Sequence, residues 1–181
     1  MRIVGGVVRG RRLSLTLKTG VRPTSEKVRE ALFDILGQNL NGMTFLDICS
    51  GSGAISFEAL SRGADSVLAI EINKICCTDI KKVSVDLGFD KKIQVLQGDA
   101  RYLLKDVVVS HQKFDIIYFD PPWSDLDFAL DILDCLLVQK SIWKVFILEF
   151  DKNFKISNLP SKVSNSIKEI RRYGRTNLLF F

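Results

Sequence analysis

The chain has 181 residues, 46% of them hydrophobic and 26% charged, which suits one domain with its own core and at most a small appendage. No apolar run of about 18 residues occurs and Met1 to Gly6 lacks an apolar signal core, so a soluble, cytoplasmic protein is expected rather than a membrane-spanning or secreted one. The formal charge of +5 is unevenly spread: through Arg29 eight basic residues face one acid, Glu26, which puts +7 on this segment and leaves −2 for the rest.

The N-terminal stretch, residues 1–17, alternates apolar and polar residues around Gly5-Gly6 and Gly10, the pattern of a hairpin or extended arm. We assign residues 1–22 to this basic arm and 23–181 to the main domain. Arginines and glycines concentrated in such an arm form a polyanion footprint, and nucleic acid is the expected partner. Val21-Arg22-Pro23 must be extended, because a residue before proline is pushed out of the helical region. Thr24 or Ser25 then caps a helix to about Leu36, with Val28, Leu32 and Ile35 as its buried stripe.

From Thr44 strand and helix signals alternate, the signature of a doubly wound, mostly parallel α/β sheet. Strands are expected at Thr44–Ile48, Val67–Glu71, Ile93–Gln97, Phe114–Phe119 and Trp143–Phe150, and helices at Ala54–Arg62, Lys74–Leu87, Ala100–Val108 and Asp125–Leu137. Ser164 to Phe181 reads as an antiparallel hairpin turning at Tyr173-Gly174-Arg175 and added to the sheet edge. Cys49, Cys76, Cys77 and Cys135 form no C-x-x-C pair and His111 is the single histidine, so no metal site is expected.

Chemistry-bearing residues fall at the C-terminal ends of these strands, where open α/β sheets bind ligands. Asp47-Ile48-Cys49-Ser50-Gly51-Ser52-Gly53-Ala54 joins the first core strand to its helix, and its glycines admit a ligand against the main chain. Glu71 ends the next strand 20 residues after Gly51, where a carboxylate can hold ribose hydroxyls. The dinucleotide fingerprint needs a third glycine where Ser56 stands, so a pyrophosphate ligand is disfavoured and S-adenosyl-methionine preferred. Asp47, Gly51, Ser52 and Gly53 then serve its amino-acid end, with Asp99 and Ala100 at its adenine.

Asp120-Pro121-Pro122-Trp123 stops the fourth strand, since neither proline has an N–H for a ladder. The Asp120 carboxylate and Pro121 carbonyl can accept from a nucleobase amine and orient its nitrogen toward a sulfonium methyl. Trp123 offers a stacking face, a contact worth roughly 1–3 kcal/mol in comparable sites.

With these motifs, Arg2-Ile3-Val4-Gly5-Gly6, Arg9-Gly10-Arg11, the block from Arg22-Pro23-Thr24-Ser25 to Phe33, and Glu58 to Gly63, nearly the whole chain resembles the bacterial 16S rRNA guanine-N2 methyltransferases of the RsmD type. That resemblance implies a Rossmann-like class I methyltransferase with a seven-stranded sheet, which modifies guanine 966 of 16S rRNA in the usual bacterial numbering. It also implies that Arg9, Arg11, Arg12, Arg22, Lys27 and Arg29 hold rRNA phosphates of naked RNA or of an assembling small subunit. A monomer is expected, because nothing suggests an extended apolar interface. Trp123 stands where the family commonly has Phe or Tyr, and Cys49 where its glycine loop commonly has an aromatic residue. An adenine-N6 methyltransferase and a noncatalytic RNA-binding module remain as alternatives, since a D-P-P-W stretch specifies a planar amine and no more.

Overall fold

A computed structural model describes residues 1–14, 24–122 and 124–181. In chain order these form α1 (Glu26–Leu36), β1 (Thr44–Ile48), α2 (Ala54–Ser61), β2 (Ser66–Glu71), α3 (Lys74–Leu87), β3 (Ile93–Gln97), α4 (Ala100–Val109), β4 (Phe114–Phe119), α5 (Leu126–Val138), β5 (Trp143–Asp151), α6 (Ser161–Ser164), β6 (Glu169–Tyr173) and β7 (Thr176–Phe180). Local signals account for most of these limits. The Asn73 side chain caps α3 by accepting from Ile75 and Cys76 N–H, and Gly88 ends the helix in the left-handed conformation.

The described strands build one seven-stranded sheet in the order β3-β2-β1-β4-β5-β7-β6. β1 to β5 pair in parallel, whereas β7 runs antiparallel to both β5 and β6. The expected hairpin therefore adds two strands, with the later one on the inside. β1 lies between β2 and β4, so the chain leaves it in opposite directions and opens a crevice above its C-terminal end.

Alternating residues of the strands supply two cores, one on each face. Leu46, Ile48 and Phe119 pack under α4 and α5 with Leu104, Ile132 and Leu136. Phe45, Tyr118 and Ile147 face Val28, Leu32, Phe33, Phe57 and Ile80 of α1, α2 and α3. The expected stripe of α1 is corrected at one place: Ile35 is 38% exposed, and Phe33, fully buried, takes the inward place beside Leu32. Phe33 stacks on Phe45 of β1 with ring centroids 6.5 Å apart, which rotates the buried face toward position 33.

Residues 1–14 fold back on themselves, with Ile3 N–H donating to Arg11 O (3.0 Å), Gly10 N–H to Ile3 O (2.9 Å) and Leu13 N–H to Met1 O (3.1 Å). This segment is fastened to α2. Val4 N–H donates to Glu58 Oε1 (2.6 Å), Val7 N–H to Ser61 O (2.7 Å), and the Ser61 hydroxyl to Gly5 O (2.5 Å). Gly6 has φ +77°, and a Cβ there would run into the Ser61 carbonyl, so the close approach requires glycine. Ile3 and Leu13 join the core beneath.

Arg29 is corrected most sharply. Expected on the RNA-facing surface, it is 1% exposed and pairs with Glu58, which also pairs with Arg62 inside the protein. Its guanidinium donates further to Thr24 O (2.5 Å) and Arg2 O (2.7 Å), closing α1, α2 and the N-terminal segment around one acid. Buried arginine is tolerated because each bond to carboxylate or carbonyl replaces one to water.

Candidate active site

The loop after β1 is built on Asp47. Its carboxylate is closed off from solvent, and Oδ2 accepts from the Ser56 backbone N–H (3.2 Å) and hydroxyl (2.5 Å). Burial pushes its pKa up to about 7, against the two Ser56 bonds that lower it and with a smaller push from Glu71. Ser56, which displaces the third glycine of a dinucleotide site, thus holds the acid in place. Gly53 caps α2 at φ +72°, and a Cβ on it would lie 2.8 Å from Ile80 Cγ1. Cys49 also adopts a positive φ, +62°, uncommon for a residue with a side chain.

Glu71 ends β2 at the far side of this loop. Gly51 N–H donates to its Oε2 (2.7 Å) and Asn73 N–H to its Oε1 (2.8 Å), so each oxygen keeps a lone pair for another donor. Asp99 caps α4 by accepting from Arg101 N–H (2.9 Å) and pairs with the Arg101 side chain (2.6 Å). The Arg101 hydrogen bond holds the Asp99 carboxyl below its usual range, and any adenine amine must share this acid with Arg101. Asp120 extends the ladder one rung past β4, donating its N–H to Ile48 O (3.3 Å), and Pro121 and Pro122 end it. Trp123 and Arg22 lie outside the described residues.

These strand ends surround a cavity of about 900 Å³, lined by Glu71, Asp99, Ala100, Asp120, Pro121 and Pro122. A small recess of about 30 Å³ beside it is lined by Asp47, Ser50, Gly51, Ser52 and Asp120, and Cys49 and Gly51 face both spaces. Lys27 stands at the cavity wall and is exposed. Arg9, Arg11 and Arg12 are exposed on the N-terminal segment and are not part of the cavity lining. Arg11 donates to Asp86 O of α3 (3.3 Å).

The site is acidic. The Cys49 thiol is pushed well up by burial first and then by the charges of Glu71, Asp120, Asp47 and Asp99, so four carboxylates converge on one residue. Such a wall suits a cationic ligand and opposes a pyrophosphate. Within the recess, the Ser50 hydroxyl oxygen is buried with no hydrogen-bond partner among the described residues, a polar group of the kind a ligand satisfies.

Several lining residues were not signalled by the motifs. Thr24 faces both spaces, while Ser25 is the residue that caps α1, accepting from Val28 N–H (3.3 Å). Tyr118, Glu149 and Thr176 form a buried group: the Tyr118 hydroxyl donates to Glu149 Oε2 and the Thr176 hydroxyl to Oε1 (3.4 Å). Glu149 lies in an otherwise apolar run, and that lone charge was the available clue. The turn from Tyr173 to Arg175 brings the hairpin to the same cavity. Among the described residues no three His, Cys, Asp or Glu side chains cluster as a metal site, and no helix is long and apolar enough to cross a membrane.

Comparison with known proteins decides the family. The conserved hypothetical protein 95 family is matched over residues 1–181. The chain belongs to that family, the RsmD family. Ribosomal RNA small subunit methyltransferase D of Haemophilus influenzae is 34% identical over 124 residues, 68% of this chain and 64% of that protein. Its Escherichia coli namesake is 34% identical over 123 residues, 68% of this chain and 60% of its own length. The chain thus spans less than two thirds of either relative. The solved structure of hypothetical protein TTHA0928 from Thermus thermophilus superposes with a TM-score of 0.80 at 25% identity, covering 99% of this chain and 98% of that one. The chain has a Rossmann-like class I methyltransferase fold.

Proposed function

We propose that the chain transfers a methyl group from S-adenosyl-methionine to N2 of a guanine in 16S rRNA, the one at position 966 in the usual bacterial numbering. The observation that carries this reading is the placement of Asp120 and Pro121 at the open end of β4, beside a cavity walled by carboxylates. Family membership and the names of the two relatives support RNA of the small subunit as the substrate.

The residues present fit S-adenosyl-methionine. The Ser50 hydroxyl, the Gly51 and Ser52 backbone and Asp47 would hold its amino-acid end, Glu71 its ribose, and Asp99 with Ala100 its adenine. When bound, it supplies an electrophilic methyl group on a sulfonium. An aromatic amine is a weak nucleophile because its lone pair is spread into the ring. Acceptors at Asp120 and Pro121 fix the N–H bonds and turn that lone pair outward, so positioning carries the rate. The proton lost from nitrogen can pass to the Asp120 carboxylate or to water.

Arg9, Arg11, Arg12 and Lys27, with Arg22, would grip phosphates around the flipped base, and Trp123 would stack on it. We take the acting form to be a cytoplasmic monomer; the most exposed apolar side chains, Val7, Ile72, Val85, Tyr102, Val109 and Val138, are spread over the N-terminal segment, the loop after β2, α3, α4 and α5, with only Tyr102 and Val109 sharing an element, which supports this.

The test is methyl transfer to purified small-subunit rRNA followed by nucleoside analysis. N2-methylguanosine is expected; N6-methyladenosine in its place overturns the reading in favour of the adenine enzyme. Absence of any transfer favours an RNA-binding module.

A further inference from the structure

Asp120 has a neighbour with no task in the reaction described above. β4 and β5 run parallel and pair through Tyr118 with Ile147 and Phe119 with Leu148. Continued by one residue, that register sets Asp120 beside Glu149, on strands about 4.8 Å apart. Tyr118 and Ile147, two residues back, pack beneath α1 and α2, so the period of two sends the Asp120 and Glu149 side chains off the same face. Both line the large cavity.

Glu149 is 8% exposed and is held from behind. The Tyr118 hydroxyl donates to one oxygen and the Thr176 hydroxyl to the other, which pins the carboxylate in place at the cavity wall. Burial, then the charges of Glu149 and Asp120, push the Tyr118 pKa well up. The phenol therefore keeps its proton and donates it toward Glu149, so the carboxylate is the acceptor of the pair.

A purine amine held at Asp120 and Pro121 brings its ring neighbour along. Beside N2 of guanine stands N1–H, a donor. Beside N6 of adenine stands a bare N1, an acceptor. We propose that Glu149 determines the base specificity of the site by accepting the N1–H of guanine while Asp120 accepts from N2. This rests on the reading of the site as a guanine-N2 methyltransferase. Two acceptors at neighbouring strand ends match two adjacent donors on one base edge. Adenine in the same pose sets its N1 lone pair against the Glu149 carboxylate, and a hydrogen-bonding site rejects such a mismatch strongly.

The test compares rRNA fragments with guanine or 2,6-diaminopurine at the methylated position. Diaminopurine keeps the N2 amine but has an acceptor at N1. The wild-type protein should prefer guanine by about tenfold or more in kcat/KM. In Glu149→Gln, whose amide can donate, the ratio should fall about tenfold toward diaminopurine with S-adenosyl-methionine affinity retained. Tyr118→Phe, which unpins the carboxylate, should lower the same ratio by a smaller factor and serves if Glu149→Gln does not fold. Equal rates on the two bases in the wild type, or a ratio unchanged in a folded variant, overturn the role of Glu149. Failure of the wild type to methylate N2 of guanine in either the fragment or whole small-subunit rRNA overturns the underlying reading instead.

Discussion

The Ser56 hydroxyl lies 2.5 Å from Asp47 Oδ2 in a place closed to solvent, so a serine at the start of α2 controls the charge of the acid behind the glycine loop. With a folded pKa of about 7 against an ordinary value of 3.8, Asp47 binds a proton more readily in the folded chain than in the unfolded one. Its contribution to stability is complete below about pH 4 and declines as pH rises toward 7. Denaturant titrations should show this decline, and Asp47→Asn should flatten it. A ligand ammonium needs the ionised acid, so S-adenosyl-methionine affinity should rise through pH 7. In Ser56→Ala, which loses a bond favouring the charged form, calorimetry should find that midpoint at higher pH.

Arg29 and Glu58 are buried to within 1% and each has further partners, so removing either charge strands the others. Arg29→Ala should cost about 3–5 kcal/mol in urea unfolding, near the upper end for a single substitution. A loss below about 1 kcal/mol would mean that the ion group is dispensable.

The approach of Gly6 to Ser61 gives the N-terminal segment its seat. Gly6→Ala forces a side chain onto positive φ and into the Ser61 carbonyl. Hydrogen exchange at Val4 and Val7, whose N–H groups bond to α2, should speed up by at least about tenfold. RNA affinity should fall while S-adenosyl-methionine affinity holds.

Arg11 and Arg12 are exposed beside that seat. Replacing both by alanine should make the dependence of log K on log salt shallower by about two phosphates' worth, nearly equally for different RNA sequences. An unchanged slope would move the RNA footprint elsewhere, with the exposed arginines of β6 as the next place to look.

Asp120→Ala should reduce single-turnover methyl transfer by about 10²- to 10³-fold with the fold intact, because it removes one of two proposed acceptors for the amine. Retention of full activity would remove Asp120 from the site.

The parts of this fold that were legible are those written locally. The strands Thr44–Ile48, Ile93–Gln97 and Phe114–Phe119 and the helix Lys74–Leu87 occur where apolar period and caps put them. The acids Asp47, Glu71, Asp99 and Asp120 were legible as strand-end residues because each stands within the last two residues of a strand or just past its end. Arg29 was misplaced because its partner Glu58 is 29 residues away, and a basic run looks the same whether its members face water or one another's acids. Ile35 satisfied helical spacing, but stacking on Phe45 of the next strand, which helical period does not reveal, chose Phe33. Glu149 needed the pairing of β5 with β7 before its partner Thr176 could be known.

The inside position of β7 bears on how the protein is made. β5, nine residues long, is synthesised well before the strand that covers its free edge. Until β7 leaves the ribosome, a nascent chain with all five parallel strands presents an open, strongly apolar edge suited to pairing with another chain. The same chain lacks Thr176 and the hairpin turn, so its cavity has one wall missing. Translation that stalls after β5 should therefore yield a species that needs chaperone protection and has no catalytic use.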